Sequence, residues 1–457
     1  MREPAFQLLP RPPRVELAGR RLLVLGLGDS GLSVVRWAER LGASVRVADT
    51  RQAPPRARDF TGELRLGKFT PSLLDGIDLL CISPGLPLAD PLVEAALARS
   101  IPIVGDIELF AWKNDAPVVA ISGTNGKTTV TALTGHLLKS AGMDCEVAGN
   151  IAPPVLQAAL ERKTPPQAWV LELSSYQLET TWSLNAQAAT VLNVSEDHLD
   201  RYAGMPEYAA AKARIFQGDG VQILNRDDPV TLRMALPGRR IVTFGLEAPR
   251  SAHDFGIANG RLVEGESPIV EAKALPIHGA HNVANALAAC ALARALGVPR
   301  ERLQAGLRSF RGLPHRLELL ATRDGVQWYD DSKGTNVGAT IAALRGLGRK
   351  AVLILGGEGK GQDFSPLRPV VEQAAVCVLL IGRDAPLIEA ALSGLPTERC
   401  ATLEDAVRRA ARVARAGQAV LLSPACASFD MFRDYKHRGE VFAAAVKALP
   451  ASGGPSA

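Results

Sequence analysis

Residues 118–129 read Val-Val-Ala-Ile-Ser-Gly-Thr-Asn-Gly-Lys-Thr-Thr, so that an apolar run leads directly into a glycine-rich segment. The apolar part, Val118–Ile121, is typical of a strand buried on both faces of a parallel sheet. Gly123 and Gly126 then let the backbone turn sharply, so that a helix can begin beside the strand end. Unpaired N–H groups at such a helix N-terminus bind phosphate. The stretch therefore predicts an α/β domain built around a phosphate-binding loop.

The loop also carries the side chains that nucleotide phosphates need. We expect Lys127 to reach the β- and γ-phosphates and the Thr128 hydroxyl to lie on Mg²⁺. The longer form of this loop has glycine where the chain has Ile121, so this is a compact variant. A loop without a nucleotide is the alternative, and the Gly-Lys-Thr core after an apolar strand disfavours it. The loop residues predicted to bind ATP are Gly123, Thr124, Asn125, Gly126, Lys127, Thr128 and Thr129.

Two further candidates lie near the ends of the next predicted strands. Glu172 lies in the apolar run Trp169–Leu173, and His198 follows the run Ala189–Asn193. Because parallel strands end at one edge of a sheet, both side chains can reach the phosphates. A buried carboxylate is costly unless it is paired or metal-bound, so Glu172 is a candidate metal ligand, with a structural salt bridge as the alternative. Alone, His198 is equally well explained as a turn histidine.

Strand-like runs alternate with helix-like segments along almost the whole chain. This alternation predicts an α/β protein with parallel, doubly wound sheets. The length of 457 residues suits about three domains. We expect them at residues 1–105, 106–312 and 313–457, because each block contains its own glycine-rich strand-to-helix turn.

The first block has a second type of glycine turn. The run Leu22–Leu25 leads into Gly26-Leu27-Gly28-Asp29-Ser30-Gly31, and Asp49 ends the following strand. This order of strand, glycines, helix and acid is a dinucleotide fingerprint. A tight turn without a ligand is the alternative. The residues leave the ligand open between a nicotinamide cofactor and another diphosphate-bearing molecule.

Composition and charge exclude several classes of protein. The net charge of +5 is small for this length, and the basic run at residues 408–412 has no interleaved aromatic residues, so we expect no nucleic-acid partner. The N-terminus lacks the apolar segment of a signal peptide, and no apolar run is long enough to span a membrane. The six cysteines form no CxxC pair. These features predict a cytoplasmic protein.

Longer motifs resemble those of the Mur ligase family, cytoplasmic enzymes that add amino acids to the peptidoglycan precursor. The motifs that carry this resemblance lie at residues 123–129, 171–179, 193–200, 281–286 and 313–316. A second set is similar to the branch of the family that adds D-glutamate, and it lies at residues 26–31, 49–51, 105–110 and 423–430. The resemblance covers nearly the whole chain.

The resemblance implies a fold and a set of binding residues. The first domain would be Rossmann-like and bind UDP instead of NAD, the central P-loop ATPase domain would have a mostly parallel sheet, and the C-terminal domain would again be Rossmann-like. The implied UDP-substrate residues are Gly28, Ser30, Asp49, Thr50, Arg51, Gly85 and Asn150. The implied further ATP residues are Asn282, Asn285, Arg316 and Asp331. The implied amino-acid residues are Lys333, Thr335, Lys360, Ser428 and Tyr435, the last at a position where phenylalanine is expected.

The resemblance also implies the chemistry. Two Mg²⁺ ions would be held, one by Thr128 and Ser174, the other by Glu172, His198 and Lys212, with Lys212 carried as a carbamate. Lys127, Glu172, His198 and Lys212 would be the catalytic residues. The implied function is an ATP-dependent, monomeric ligase that adds D-glutamate to UDP-N-acetylmuramoyl-L-alanine through an acyl phosphate. The motifs alone do not give the chirality of the added glutamate.

Three alternatives belong to other classes of protein. A folylpolyglutamate synthase shares the ATPase core but should lack a UDP-binding first block. A nicotinamide-dependent oxidoreductase explains Gly26–Gly31 and Asp49 but not the loop at Gly123. A non-catalytic nucleotide switch would not need Glu172, His198 and the third block together.

Overall fold

The computed structural model describes residues 9–197 and 201–450. The candidate ligand His198 lies outside the described residues. Within them the strands form three sheets, one after another along the chain, and helices lie between many of the successive strands. The expected α/β class, with three units and mostly parallel sheets, is confirmed.

The first sheet is parallel throughout and has the order β3-β2-β1-β4-β5. Its strands are β1 (Arg21–Leu25), β2 (Ser44–Asp49), β3 (Glu63–Leu66), β4 (Leu79–Ile82) and β5 (Ile103–Val104). β1 lies at the centre of the sheet, so the glycine turn that follows it opens at the middle of the carboxyl edge.

The central sheet has the order β14-β13-β12-β11-β10-β9-β6-β8-β7 and is parallel from β12 to β7. Its strands are β6 (Val118–Ser122), β7 (Cys145–Gly149), β8 (Ala168–Glu172), β9 (Ala188–Val191), β10 (Val221–Asn225), β11 (Ile241–Phe244), β12 (Phe255–Ala258), β13 (Arg261–Glu264) and β14 (Ser267–Glu271). The antiparallel end formed by β12, β13 and β14 was not predicted from the sequence. Each of these three strands mixes apolar residues with glycine, proline or charged residues, so none of them produces a continuous apolar run.

The third sheet has the order β15-β16-β20-β17-β18-β19, and in it only the β15–β16 pair of the described strands is antiparallel. Its strands are β15 (Glu318–Arg323), β16 (Val326–Asp330), β17 (Ala351–Gly356), β18 (Ala375–Ile381), β19 (Thr397–Arg399) and β20 (Ala419–Leu422).

The α-helices cover the faces of the sheets. They are α1 (Asp29–Arg40), α2 (Pro91–Ala98), α3 (Asp106–Ala111), α4 (Lys127–Ser140), α5 (Val155–Glu161), α6 (Ser175–Glu179), α7 (Met205–Ala213), α8 (Pro229–Leu232), α9 (Ala280–Ala295), α10 (Arg300–Ser309), α11 (Val337–Gly346), α12 (Arg368–Ala374), α13 (Ala385–Ala391), α14 (Leu403–Val413) and α15 (Tyr435–Ala448). None of the helices at residues 9–197 and 201–450 combines the length and apolar character that crossing a bilayer requires.

The predicted strands agree with the observed ones apart from their ends. The run expected at Ala189–Asn193 is the strand Ala188–Val191, which ends two residues earlier. Asn193 leaves the sheet because its side chain bonds to the phosphate loop, with its Nδ2 donating to the Asn125 carbonyl at 3.0 Å. A side-chain contact of this kind leaves no trace in the apolar pattern.

Close packing explains one glycine of the first turn. A Cβ atom on Gly31 would lie 1.9 Å from the carbonyl oxygen of Gly26, whereas a Cβ on Gly28 would meet nothing within 4 Å. Gly28 has φ −95°, which any residue can adopt. The turn between β1 and α1 can therefore close only if residue 31 has no side chain.

We predict that Gly31→Ala destabilises the protein by about 1–3 kcal/mol, since the new methyl group must push the turn open. The matched variant Gly28→Ala should cost clearly less, because its methyl group has space. Thermal unfolding of both variants measures the difference. Equal melting temperatures would contradict the packing argument.

A strained turn leads into the third sheet. His315 and Leu317 have φ of 62° and 51°, a region that costs about 1–2 kcal/mol for a residue other than glycine. Hydrogen bonds hold the turn in place. The Nδ1 of His315 lies 2.7 Å from a carboxylate oxygen of the buried Asp330, and the Leu317 N–H donates to Asp331 at 3.1 Å. These bonds fix His315 and Leu317, and they therefore also fix the backbone position of Arg316 between them.

The pair of His315 and Asp330 predicts a pH dependence of stability. The hydrogen bond that Asp330 accepts from His315, together with the charge of the carboxylate, raises the pKa of His315 above its usual 6.5, although burial opposes this. Because the pKa is raised in the folded state, the stabilisation is complete below the ordinary pKa of histidine and is lost as pH rises through the raised value. The free energy of unfolding of wild type minus that of His315→Gln should therefore shrink from acidic to alkaline pH. A difference that is independent of pH, measured by denaturant unfolding, would contradict the charged pair.

Candidate active site

The phosphate loop lies between β6 and α4 and has the shape that the sequence predicts. Gly126 precedes the helix with φ 85°, and Gly123 has φ 146°. The Asn125 N–H donates to the Asn193 side-chain oxygen at 2.8 Å, while the Asn193 amide group donates back to the Asn125 carbonyl. The segment after β9 thus holds the loop open at the N-terminus of α4, where the helix dipole and unpaired N–H groups attract anions.

Two lysines meet at one carbonyl of this loop. Lys127 Nζ donates to the carbonyls of Gly123 at 2.8 Å and Thr124 at 2.9 Å, and Lys212 Nζ donates to Gly123 at 3.0 Å. Burial lowers the pKa of Lys127. Burial, and then the neighbouring charge of Lys127, lowers the pKa of Lys212 well below its usual value. The side chain of Lys212 also lies over the ring of Tyr208, with Nζ 4.4 Å from the ring centroid.

Glu172 ends β8 beside this pair of lysines. Its Oε1 accepts a hydrogen bond from Asn150 Nδ2 at 2.8 Å, but its Oε2 is buried and has no hydrogen-bond partner among the described residues. An unpartnered buried carboxylate oxygen is costly, and a divalent cation would satisfy it. Thr128 and Ser174 line the same cavity with further oxygen atoms. The residues present therefore fit a Mg²⁺ ion, whose preferred ligands are oxygen atoms.

These groups line a cavity of about 280 Å³ in which positive charge dominates. Its described lining contains two carboxylates, Glu172 and Asp197. It contains five cationic side chains, from Lys127, Lys212, Arg316, Lys333 and Lys360. A cavity with this excess of positive charge concentrates polyanions. We refer to it as the phosphate cavity.

Two cations of the phosphate cavity come from the third unit and are strongly perturbed. Burial lowers the pKa of Arg316. Burial, followed by the charges of Arg316 and Lys127, lowers the pKa of Lys333 to about 8. Both groups would regain favourable interactions if an anion were bound between them.

A second cavity, of about 390 Å³, continues from the phosphate cavity. Arg316 and Lys333 line both cavities, and Asn282, Asn285 and Asp331 line the second. Burial raises the pKa of Asp331 to about 7, and its carboxylate accepts a hydrogen bond from Ser423 Oγ at 2.7 Å. This space is suited to the base and ribose of a nucleotide whose phosphates lie on the loop, and we refer to it as the nucleoside cavity.

A third cavity, of about 610 Å³, opens at the carboxyl edge of the first sheet. All seven residues expected to bind the UDP substrate line it: Gly28, Ser30, Asp49, Thr50, Arg51, Gly85 and Asn150. Asn150 also lines the phosphate cavity, so the two spaces adjoin. We refer to the third space as the acceptor cavity.

The carboxylate of Asp49 is already occupied. It accepts hydrogen bonds from the Leu27 N–H at 2.7 Å and from the Arg51 guanidinium at 2.9 and 2.7 Å. Burial raises its pKa, but the hydrogen bonds from Arg51 and Leu27 outweigh burial and lower the pKa to about 2. Asp49 therefore also fixes the glycine turn and the position of Arg51 at the acceptor cavity.

The residues expected to bind the amino acid are only partly brought together. Lys333, Thr335 and Lys360 line the phosphate cavity. Ser428 is buried and Tyr435 is half-buried, and neither is among the described lining of the three cavities. Tyr435 instead lies against Lys333, with the lysine Nζ 4.2 Å from the ring centroid.

The structure also adds residues that the sequence analysis did not select. Asp197 and Asn336 line the phosphate cavity, Phe69 and Gln177 the acceptor cavity, and His281 the nucleoside cavity. Burial lowers the pKa of His281 to about 4, so its ring is neutral at neutral pH. Asp197 and His281 lie inside the motifs at residues 193–200 and 281–286, so the sequence could have indicated them. Asn336 and Phe69 lie in no such motif.

Comparison with known proteins agrees with this division of the chain. Residues 20–105 match the family model described as Mur ligase MurD-like, N-terminal domain. Residues 121–293 match the Mur ligase middle domain, and residues 315–426 match the Mur ligase glutamate ligase domain.

Full-length relatives are similar over nearly the whole chain. A protein of Nitrosospira multiformis named UDP-N-acetylmuramoylalanine--D-glutamate ligase is 57% identical, with 97% of this chain and 99% of the relative covered. A protein of the same name from Thiobacillus denitrificans is 55% identical, with 96% and 98% covered.

Solved structures share the fold at lower identity. The UDP-N-acetylmuramate-alanine ligase MurC of Thermotoga maritima has a TM-score of 0.61 at 19% identity, covering 94% of this chain and 99% of that one. The MurF structure from Acinetobacter baumannii has a TM-score of 0.57 at 20% identity, covering 95% and 92%. The identity and coverage of the relatives, together with the three matched domains, show that the chain belongs to the Mur ligase family.

Proposed function

We propose that this chain is an ATP-dependent ligase that joins D-glutamate to UDP-N-acetylmuramoyl-L-alanine, the activity for which its relatives are named. The observation that carries the proposal is the continuous row of three cavities. The acceptor cavity adjoins the phosphate cavity at Asn150, and the phosphate cavity continues into the nucleoside cavity at Arg316 and Lys333. A nucleotide-linked acceptor and ATP can thus meet end to end.

ATP would lie with its base and ribose near Asn282, Asn285 and Asp331 and its phosphates on the loop. Lys127 now donates to two loop carbonyls, and in the complex its ammonium group would turn to the β- and γ-phosphates. Arg316 would neutralise the same phosphates from the side of the third unit.

Two Mg²⁺ ions would be held by the oxygen-rich side of the phosphate cavity. We propose Thr128 and Ser174 for one ion, and Glu172, Lys212 as a carbamate and His198 for the other. When bound, the ions supply charge neutralisation for the transferring phosphoryl group.

The environment of Lys212 favours the carbamate. Only an uncharged amine reacts with CO₂, and the lowered pKa of Lys212 makes this form accessible. In the reaction the nitrogen lone pair forms a bond to the CO₂ carbon, one C=O electron pair moves onto oxygen, and a proton is released. The product is a carboxylate-like group close to Glu172, which can ligate a cation where an ammonium group cannot.

The chain's residues then act on two consecutive steps. Lys127 and Arg316 hold the γ-phosphoryl group while a carboxylate oxygen of the L-alanyl end attacks phosphorus, so that the bond to the ADP oxygen breaks and an acyl phosphate forms. The amine of D-glutamate attacks the acyl carbon, loses a proton, and expels inorganic phosphate. Lys333 and Lys360 would hold the incoming amino acid through its carboxylates, and Thr335 would add a hydrogen bond. Ser428 and Tyr435 would complete this amino-acid site, Tyr435 through its contact with Lys333.

We propose domain limits at 1–105, 106–312 and 313–457, and a monomer in solution. The matched family segments lie within these limits.

The proposed activity predicts a narrow choice of amino acid. With ATP and UDP-N-acetylmuramoyl-L-alanine, D-glutamate should support phosphate release, while L-glutamate and other D- and L-amino acids should support little. Phosphate release across this panel is the measurement. Activity with an amino acid other than glutamate, or only with a folate acceptor and L-glutamate, would contradict the assignment.

The Lys127→Ala variant is the control for this assay. It should lose at least about a hundredfold in ADP formation, because it removes a charge that stabilises the transferred phosphoryl group. Near-normal ADP formation would exclude the role given to the loop.

The carbamate predicts chemical rescue. Lys212→Ala should lose most activity, and added short-chain carboxylates should restore part of it by placing a carboxylate where the carbamate lay. Bicarbonate alone should not restore it, since the amine is gone. The matched variant Lys139→Ala, which changes an exposed lysine on α4, should keep its activity and not respond to carboxylates. A fully active wild-type enzyme with an unmodified Lys212, seen by NMR after ¹³CO₂ labelling, would rule out the carbamate.

A further inference from the structure

The phosphate loop is in contact with the third unit through a pair of asparagines. Asn336 Nδ2 donates to Asn125 Oδ1 at 3.0 Å, and Asn125 Nδ2 donates to Asn336 Oδ1 at 3.3 Å. The two carboxamides therefore form a reciprocal pair. Asn336 is buried, and both residues line the phosphate cavity. The pair connects the loop that precedes α4 with the N-terminus of α11.

The orientation of Asn336 is fixed independently of this contact. Asn336 is the N-cap of α11, and its Oδ1 accepts a hydrogen bond from the Ala339 N–H at 2.8 Å. Its Nδ2 also lies 3.5 Å from a carboxylate oxygen of Asp197, in the segment after β9. The N-cap bond to Ala339 therefore fixes the orientation in which the carboxamide pairs with Asn125.

A third contact extends the link to the amino-acid side of the cavity. The Val337 N–H, next to Asn336, donates to Gln362 Oε1 at 3.0 Å. Gln362 Nε2 in turn donates to the carbonyl of Gly359 at 2.9 Å and to that of Ala425 at 2.8 Å. Gly359 immediately precedes Lys360, so the N-terminus of α11 connects the phosphate loop with the loop that presents Lys360.

We propose that Asn336 is a positioning residue that couples the phosphate loop to the amino-acid-binding loops through Asn125 and Gln362. The inference rests on the proposed function and deepens it, because it assigns the physical link between nucleotide and amino acid. Nucleotide on the loop stabilises the Asn125–Asn336 pair, which holds the loop of Lys360 in place. By linkage, the amino acid strengthens nucleotide binding by the same factor.

Asn336 could have only the structural role of capping α11. Substitution by serine separates this role from the proposed pairing with Asn125. Serine is as good an N-cap as asparagine, but its side chain is too short to reach Asn125. Asn336→Ser should therefore keep the melting temperature of wild type and lose the coupling. If serine lowers stability, Asn336→Thr serves as the second variant, since threonine also caps a helix and its side chain is too short to reach Asn125.

The decisive experiment is a double-mutant cycle with Asn125→Ser, Asn336→Ser and the combined variant. The quantities measured are kcat/KM for ATP and for D-glutamate, and the affinity for a non-hydrolysable ATP analogue by calorimetry. Each single variant should lose about tenfold, the effect of one or two neutral hydrogen bonds. The combined variant should lose little more than either single one, because the pair is already broken. Losses that multiply, or an Asn336→Ser variant with wild-type KM for both substrates, would overturn the proposal.

Asn185 provides the matched control. Its carboxamide donates to Asp219 at 2.8 Å, and it precedes β9, at the edge of the sheet opposite the phosphate loop. Asn185→Ser should leave kcat/KM unchanged, alone and combined with Asn125→Ser. The proposed function and the coupling of Asn125 with Asn336 can be refuted separately. A wild-type protein without ligase activity refutes the proposed function. The calorimetric cycle still decides whether Asn125 and Asn336 are coupled.

Discussion

Five basic side chains converge on one cavity, and their mutual repulsion favours the binding of an anion there. Each of these side chains comes from a different element. Lys127 begins α4, Lys212 lies on α7, and Arg316 precedes β15, while Lys333 and Lys360 follow β16 and β17. Burial lowers the pKa of Lys127, Lys212, Arg316 and Lys333 alike. The phosphates of a bound nucleotide would therefore offset the repulsion among these basic side chains.

The three sheets bring these side chains together because most of their strands are parallel. Side chains that follow parallel strands gather at one edge, so a strand end can present a polar group without breaking the apolar core behind it. β6 leads to the phosphate loop and β8 ends in Glu172, while β1 and β4 lead to the acceptor cavity. The carboxyl edges of all three sheets therefore face one continuous row of cavities, and each sheet supplies one part of the site.

Sequence patterns predicted the strands and turns that depend only on neighbouring residues. Continuous apolar runs predicted the buried strands, and glycines beside a helix start predicted both strand-to-helix turns. The antiparallel edge at β12, β13 and β14 was missed because glycine, proline or charged residues interrupt the apolar run of each strand. Asn336 was missed for a different reason, since its role depends on a partner 211 positions away in the chain. The burial of Lys212 could not be predicted from the sequence either. The composition of its helix is ordinary, and only tertiary contacts distinguish a buried lysine from an exposed one.

Tyr435 contacts a residue that lines the phosphate cavity, although Tyr435 is not part of the described lining itself. Its position at the start of α15 is fixed, because Asp434 caps the helix by accepting from the His437 N–H at 2.8 Å. Ser332 Oγ donates to the Tyr435 carbonyl at 2.8 Å, which ties this helix to the residue before Lys333. The aromatic face then lies beneath the Lys333 ammonium group, an attraction that phenylalanine would supply equally well. We expect the extra hydroxyl group to be compatible with the proposed role of this residue, since the contact with Lys333 uses only the face of the ring.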